Sequence, residues 1–78
     1  MTAPELDRIV QDPKILGGKA TIRGTRISVA LVLDKLAWGG TVESILASYP
    51  HLQREDIQAV LAYAHNAVDS EIPLVAAE

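Results

Sequence analysis

The spacing of apolar residues near the N-terminus predicts short strands. Residues 9–11 can form one short strand, and the alternation of apolar residues from 20 to 27 predicts two more very short strands around residues 23–26. Gly24 supplies the positive φ that a tight turn between those two strands requires. Strands this short are marginal in water, so we expect them to pack on helices or to pair with another chain.

Beyond Ser28 the apolar residues recur at helical spacing in three successive segments. Ser28 and Thr41 are suitable N-caps for the first two helices, and a third helix is predicted to begin near Gln53. The glycine pair at 39–40 ends the first helix, and Pro50 ends the second. Each helix carries an apolar stripe at positions i, i+3, i+4 and i+7. The stripes are Val29, Val32, Leu33 and Leu36; Val42, Ile45, Leu46 and Tyr49; and Ile57, Val60, Leu61 and Ala64.

These elements predict a single, mainly α domain with a three-helix helix-turn-helix core and a short N-terminal β-hairpin. Within residues 1–78 we expect short β segments at 8–28, the helical core at 29–66 and a tail at 67–78. The second and third helices, joined by about four residues, have the dimensions of a helix-turn-helix. A plain helical corner in a small bundle has the same spacing, so both interpretations stay open at this point.

The length of the chain limits its stability as a single subunit. A domain of 78 residues buries only about 60% of the surface that its unfolded form exposes. Small domains compensate with disulfides, metals or a partner subunit. The sequence contains no cysteine and only two histidines, which excludes disulfides and cysteine-ligated zinc. We therefore expect no metal and no cofactor, and we expect a homodimer.

Sequence features of membrane insertion, secretion and catalysis are missing. No apolar run approaches the roughly 18 residues of a membrane span, and no basic-then-apolar leader opens the chain. We therefore expect a soluble cytoplasmic protein that does not bind membranes. The segment at residues 17–19 lacks the rest of a phosphate-binding loop, and Ser28 is better explained as a helix cap than as a nucleophile. We expect no enzyme activity.

Charge is unevenly distributed along the chain. The net charge is -3, but residues 8–26 contain five basic residues and one acidic residue, a local net charge of +4. Residues 27–78 contain two basic and seven acidic residues. A polyanion such as DNA is attracted by the first part and repelled by the second. If DNA is bound, we expect Lys19, Arg23 and Arg26 to contact phosphates, duplicated across a dimer.

The outer face of the third helix is compatible with either DNA or a protein. At about 100° per residue, Arg54 and Gln58 flank this face, and a glutamine can pair with adenine in the major groove. They are the predicted groove-facing residues, although one arginine against two acids disfavours deep insertion. Small residues beside Tyr63 suit close packing against a protein equally well. The side predicted to lie opposite the stripe carries Glu55, Ala59, Ala62 and Asn66.

The first helix has apolar residues outside its main stripe. Leu31 and Trp38 lie seven residues apart, and Asp34 and Lys35 are its only charged residues. A helix that is apolar nearly all round is usually buried on both sides. Either a second subunit covers this side, which places Leu31 and Trp38 in a dimer contact, or Trp38 folds back onto the hairpin or the tail.

Two segments of the chain are Asp-Pro-Lys-Ile-Leu-Gly-Gly-Lys at residues 12–19 and Ile-Arg-Gly-Thr-Arg-Ile-Ser-Val at residues 22–29. Together they resemble the signature of the family catalogued as domain of unknown function 433. The resemblance continues through the helices and covers roughly residues 7–66. Members usually have proline where this chain has Ala20, and serine or threonine where it has Gln53.

The resemblance implies a homeodomain-like helix-turn-helix protein that is commonly dimeric. Many relatives are VapB-like antitoxins encoded beside a PIN-like ribonuclease toxin; such an antitoxin binds its toxin and, with it, represses its own promoter. Inhibition through a C-terminal segment would use Ile72, Leu74 and Val75, whereas inhibition through the helices would include Tyr63. The alternative function is a protein-interaction module that does not bind DNA.

Overall fold

Three helices and a two-stranded antiparallel sheet make up the part of the chain that the computed structural model describes, residues 4–69. The predicted mainly α fold with short N-terminal strands is confirmed. The elements are a 3₁₀ helix (Pro4–Arg8), β1 (Ile9–Val10), a 3₁₀ turn (Leu16–Gly18), β2 (Thr21–Ile22), α1 (Val29–Ala37), α2 (Val42–Ser48) and α3 (Arg54–Asp69).

The sheet pairs β2 with β1, and not with a strand after the Gly24 turn. Ile9 lies opposite Ile22 in this antiparallel pair. The strand predicted near Ile27 is wrong, because beyond the turn the chain forms only one isolated bridge, between Thr21 and Ser28. Ser28 already caps α1, so the helix begins before a strand can extend. Gly24 has a φ of +79°, as the turn requires.

Both ends of α1 are determined by residues next to them in the sequence. The Ser28 hydroxyl accepts a hydrogen bond from the Leu31 N–H at 3.0 Å. At the other end, the Gly40 N–H donates to the Lys35 carbonyl at 2.9 Å, and the Gly39 N–H donates to the next carbonyl along. This is a Schellman motif. A Cβ on Gly40 would lie 2.8 Å from the Lys35 carbonyl oxygen, so the position requires glycine.

The start of α3 is stabilised by a residue from the other end of the chain. The Asp56 carboxylate accepts the Gln53 N–H at 2.8 Å and pairs with Arg8 at 3.0 Å. Asp56 therefore supplies a capping interaction at a position where Gln53 is itself a weak cap. The helix continues to Asp69, so residues 67–69, which were predicted as the start of the tail, are exposed helical residues.

The core forms where the three helices meet β2, but α3 is rotated relative to the prediction. Leu61, predicted to be in the core, is 46% exposed, whereas Ala59, predicted on the outer side, is fully buried. The N-terminal 3₁₀ helix packs along α3, and Asp56, Ala59 and Tyr63 are neighbours on the helical wheel. This second packed side widens the buried surface of α3. The core residues are Ile22, Val29, Val32, Ile45, Leu52, Ile57 and Val60.

Candidate functional site

The first exposed surface is the α1 outer face, which we define as Ala30, Leu31, Asp34, Ala37 and Trp38. Trp38 is 84% exposed and Leu31 is 36% exposed, so the two predicted contact residues do lie at the surface. This exposure excludes the interpretation that Trp38 folds back onto the strands. Four of the five residues are apolar, which is unusual for a surface that only contacts solvent.

The orientation of the Trp38 ring is fixed by a hydrogen bond. Its indole N–H donates to the Asp34 carboxylate at 3.1 Å. An aromatic side chain that is already oriented loses less conformational freedom when a partner covers it. Trp38 therefore has the properties of an anchor residue in a protein interface.

A shallow groove of about 360 Å³ lies beside Trp38, between α1 and α2. The buried side chain of Ile45 contributes to its lining, and two serines of α2 make one side polar. The Lys35 ammonium lies 5.7 Å from the centroid of the Tyr49 ring, a weak cation–π contact. The groove is lined by Asp34, Lys35, Trp38, Ser44, Ile45 and Ser48.

The second exposed surface is the α3 outer face, which we define as Arg54, Gln58, Leu61, His65 and Val68. All five side chains are exposed, and Val68 is 67% exposed. The two predicted groove-facing residues, Arg54 and Gln58, are both exposed and belong to this face. Ala62, predicted opposite the stripe, is only half-exposed.

The positive charge of Arg54 is compensated within the protein. Its guanidinium donates to the Glu43 carboxylate at 3.1 Å. A backbone hydrogen bond in the first turn of α2, and then Arg54 itself, lower the pKa of Glu43. The carboxylate therefore stays ionised at neutral pH, and the α3 outer face has little net positive charge to offer a phosphate.

The basic N-terminal segment divides into cations that stabilise the fold and cations that point to solvent. Arg8 pairs with Asp56, and Arg23 donates twice to the Asp7 carbonyl oxygen, at 3.0 and 2.6 Å. Lys19 and Arg26 are exposed and make no side-chain hydrogen bond or ion pair with another residue between 4 and 69. All three predicted phosphate contacts are exposed, but Arg23 is engaged in hydrogen bonds to the N-terminal 3₁₀ helix.

Tyr63, the predicted partner contact on α3, is half-buried and packs against the core. It lines a second groove of about 390 Å³ with Leu6, Ile9, Asn66 and Ala67. The other two predicted partner contacts, Ile72 and Leu74, lie outside the described residues. Between residues 4 and 69 no group of three or more metal-ligating side chains could hold an ion, and no helix in that range is long and apolar enough to cross a bilayer.

The sequence prediction missed Leu61 and Val68 as surface residues. The helical spacing of α3 accommodates two rotations, and a choice between them depends on which side the N-terminal segment covers. The only local signal was Asp56, an acid placed three residues after Gln53, where it can accept the backbone N–H. Its partner Arg8 lies 48 positions away and could not be assigned from spacing.

Comparisons with known proteins match the same region of the chain. A family model described as "Protein of unknown function (DUF433)" matches residues 9–64. The uncharacterized protein y4eO of Sinorhizobium fredii is 39% identical over 56 residues, which is 72% of this chain and 25% of that protein. This chain therefore spans about a quarter of the length of that relative.

A solved structure has a similar fold. It is the crystal structure of a DUF433 member protein from Anabaena variabilis ATCC 29413, which superposes with a TM-score of 0.75 at 34% sequence identity. The similarity covers 80% of this chain and 61% of the other, so the matched unit accounts for most of the described residues here and about three fifths of that protein.

Proposed function

The chain belongs to the DUF433 family, and we propose that it acts as a non-catalytic binding protein of the antitoxin type in the cytoplasm. Its partner in this proposal is a PIN-like ribonuclease toxin, as the resemblance to VapB-like antitoxins implies. The observation that carries the proposal is the α3 outer face, where Leu61 and Val68 are exposed on an otherwise well-packed helix.

The composition of this face favours a polypeptide over the major groove of DNA. Protein interfaces combine apolar anchors with hydrogen-bonding side chains, as Leu61 and Val68 do with Gln58 and His65. A helix that enters the groove needs uncompensated positive charge, because phosphate contacts dominate affinity. Here Arg54 is neutralised by a carboxylate of α2.

Binding to a promoter is a second candidate function, supported by a different part of the molecule. Lys19 and Arg26 are exposed without a partner among residues 4–69, and α2 and α3 retain the helix-turn-helix arrangement. In this form of the proposal they contact phosphates, and a complex with two copies doubles the number of contacts. The binding is then weak for one chain and strongly salt-dependent.

Toxin binding is tested by co-expression with a PIN-like ribonuclease from the reading frame that neighbours this gene; the lack of one there would count against the proposal. We expect the wild-type chain to restore growth and to co-purify with the toxin, and Leu61→Ser with Val68→Ser to lose both properties. Leu16→Ser is the matched control, because Leu16 is equally exposed at 45% but lies outside α3. Full rescue by the double variant, or no complex with the wild-type chain, would contradict the proposal.

DNA binding is tested by a gel shift with the DNA upstream of the gene. Affinity should fall steeply between about 50 and 200 mM salt. Lys19→Ala with Arg26→Ala should flatten this dependence by about two units of slope, one for each phosphate contact. Lys14→Ala is the control for a nearby exposed lysine. If no complex with DNA forms at either salt concentration, DNA binding is rejected, and the result supports the alternative, a protein-interaction module that does not bind DNA.

A further inference from the structure

The groove that Tyr63 borders lies where the chain leaves the part matched by the family model. That match covers residues 9–64, so it begins at one residue of the groove lining and ends next to another. Chain that continues beyond either boundary therefore starts beside the groove. The lining consists of Leu6, Ile9, Tyr63, Asn66 and Ala67.

From this position we propose that the groove binds the C-terminal segment of the same chain, residues 71–75, as an extended peptide. This segment has the sequence Glu-Ile-Pro-Leu-Val and lies outside the described residues. The docking does not depend on toxin or DNA binding, because those functions are proposed for the α3 outer face and for Lys19 and Arg26. Either proposal can fail without affecting the other.

The groove presents apolar surface that the described residues leave uncovered. Leu6, Ile9 and Tyr63 are each half-buried, and Ala67 is exposed. The volume of about 390 Å³ lies within the range of about 300–1,000 Å³ that is typical of small-ligand clefts. Apolar side chains that enter the groove remove apolar surface from water on both sides of the contact, which favours docking.

The place where α3 ends allows the C-terminal segment to reach the groove. The helix ends at Asp69, about 9 Å along its axis beyond Tyr63. Five extended residues span about 17 Å. A segment that turns back after Asp69 therefore passes Ala67 and Tyr63 and reaches Leu6, at the far side of the groove.

The order of residues in the segment suits an extended peptide with one apolar side. Pro73 has a fixed φ and no N–H, and it disfavours helical geometry at Ile72. In extended backbone, residues two apart point to the same side. Ile72 and Leu74 therefore enter the groove together, while Glu71 points to solvent.

A segment of the same chain is favoured over other occupants. Its covalent link to α3 keeps its local concentration in roughly the millimolar range, so even weak contacts hold it in place. A separate peptide or a second copy lacks this advantage. At the other end of the chain, residues 1–3 offer only one large apolar side chain, Met1.

The docking has a consequence for any partner that uses the C-terminal segment. While Ile72 and Leu74 occupy the groove, they are not available to another protein. A partner that captures them binds only the undocked molecules, so its apparent affinity falls in proportion to the undocked fraction. The groove therefore acts as an internal competitor for this segment.

The docking is tested by disulfide formation, because the chain has no cysteine of its own. Leu6→Cys with Leu74→Cys should oxidise within one chain about tenfold faster than Leu61→Cys with Leu74→Cys. Leu61 is the matched control, because it is exposed near the height of Tyr63 but about 160° around the helix. Equal rates would overturn the proposal, and so would a disulfide that joins two chains, since a second copy then occupies the groove.

Backbone amide resonances of the free protein provide a second test that leaves the groove itself unchanged. Ile72→Ser with Leu74→Ser should shift the resonances of the residues that line the groove, because their apolar contacts are lost, and should not shift those of the α1 outer face. Ala76→Ser with Ala77→Ser is the control beyond the docked segment and should shift neither set. If the Ile72 and Leu74 variant shifts neither set as well, the segment does not occupy the groove.

Discussion

The helices α1 and α3 each expose two large apolar side chains seven residues apart, but different interactions determine which side of each helix is exposed. The ends of α1 are fixed by neighbours in the sequence, the Ser28 cap and the Schellman motif at Gly40. In α3, the first turn is bonded to Arg8, 48 positions away. The same periodic pattern therefore gives the correct exposed face for α1 and a rotated one for α3.

This difference has a functional consequence. The α1 outer face is complete once the local helix forms, so it can serve contacts that depend only on this segment. The α3 outer face depends on the N-terminal 3₁₀ helix, which packs on the opposite side and brings Asp56 and Ala59 into the buried surface. A change in the N-terminal segment should therefore alter partner binding by α3 before it alters α1.

The rotation of α3 is tested most strongly by exchanging the sizes of two neighbouring side chains. Ala59→Leu adds volume at a fully buried site and should lower the free energy of unfolding by about 3 kcal/mol. Leu61→Ala removes a half-exposed side chain and should cost less than about 1 kcal/mol. Urea unfolding followed by far-UV circular dichroism measures both, at one protein concentration because a dimer makes stability concentration-dependent. If Leu61→Ala costs more than Ala59→Leu, then Leu61 lies in the core as the sequence predicted, and α3 is not rotated.

Local chemistry explains which parts of the fold could be predicted from the sequence. The caps Ser28 and Thr41 and the stops at Gly39 and Pro50 act within a few residues, so the three helices were placed nearly correctly. The pairing of β1 with β2 was missed because the long loop between them carries no apolar periodicity from which its path could be predicted. The end of α3 was placed three residues early, since nothing in its sequence breaks the helix at residue 66.

The candidate site was predictable to the same extent. The position of Leu31 and Trp38 outside the packed stripe of α1 could be predicted because their spacing departs from that stripe, and both lie at the surface. The role of Arg23 was missed, since its partner is a backbone carbonyl, that of Asp7, which carries no residue-specific signal. The ion pair that compensates the positive charge of Arg54 was missed as well. Its partner Glu43 is on another helix and becomes a neighbour only after α2 and α3 pack.

The local determinants of α1 are tested at its C-terminal end. In Gly40→Ala the new Cβ would lie 2.8 Å from the Lys35 carbonyl oxygen, so the backbone must shift, at a cost of about 2 kcal/mol. Gly17→Ala is the comparison, because Gly17 has open space around it and a positive φ, which Gly40 lacks, so only backbone strain should act there; it should cost about 1 kcal/mol. A loss in Gly40→Ala no larger than that in Gly17→Ala would show that the close approach to Lys35 does not matter.

The long-range determinant of α3 is tested by removing the buried carboxylate. Asp56→Ala leaves the Arg8 guanidinium and the Gln53 N–H without this acceptor, and should lower the free energy of unfolding by about 1.5 kcal/mol. Glu55→Ala, at the exposed neighbouring position, should change it by less than about 0.5 kcal/mol. If the two variants are equally stable, Arg8 does not anchor the helix, and the difference between α1 and α3 disappears.

The smallest expected effect concerns the ion pair that compensates the α3 outer face. A backbone hydrogen bond and then Arg54 lower the pKa of Glu43 in the folded protein, so its carboxylate stabilises the fold above the ordinary value of 4.5 and loses this effect as the pH falls through the lowered value. Glu43 is fully exposed, so the effect on stability should be near the limit of detection.

The matched variant is Glu43→Gln, which keeps the size of the side chain and removes its charge. Its unfolding midpoint should lie slightly below that of the wild type at neutral pH and converge with it in acid, where the wild-type carboxylate is protonated as well. At neutral pH the variant also releases Arg54 from its partner. DNA binding by the α3 outer face should then strengthen, whereas binding through Lys19 and Arg26 alone should not change, so one substitution separates the two surfaces.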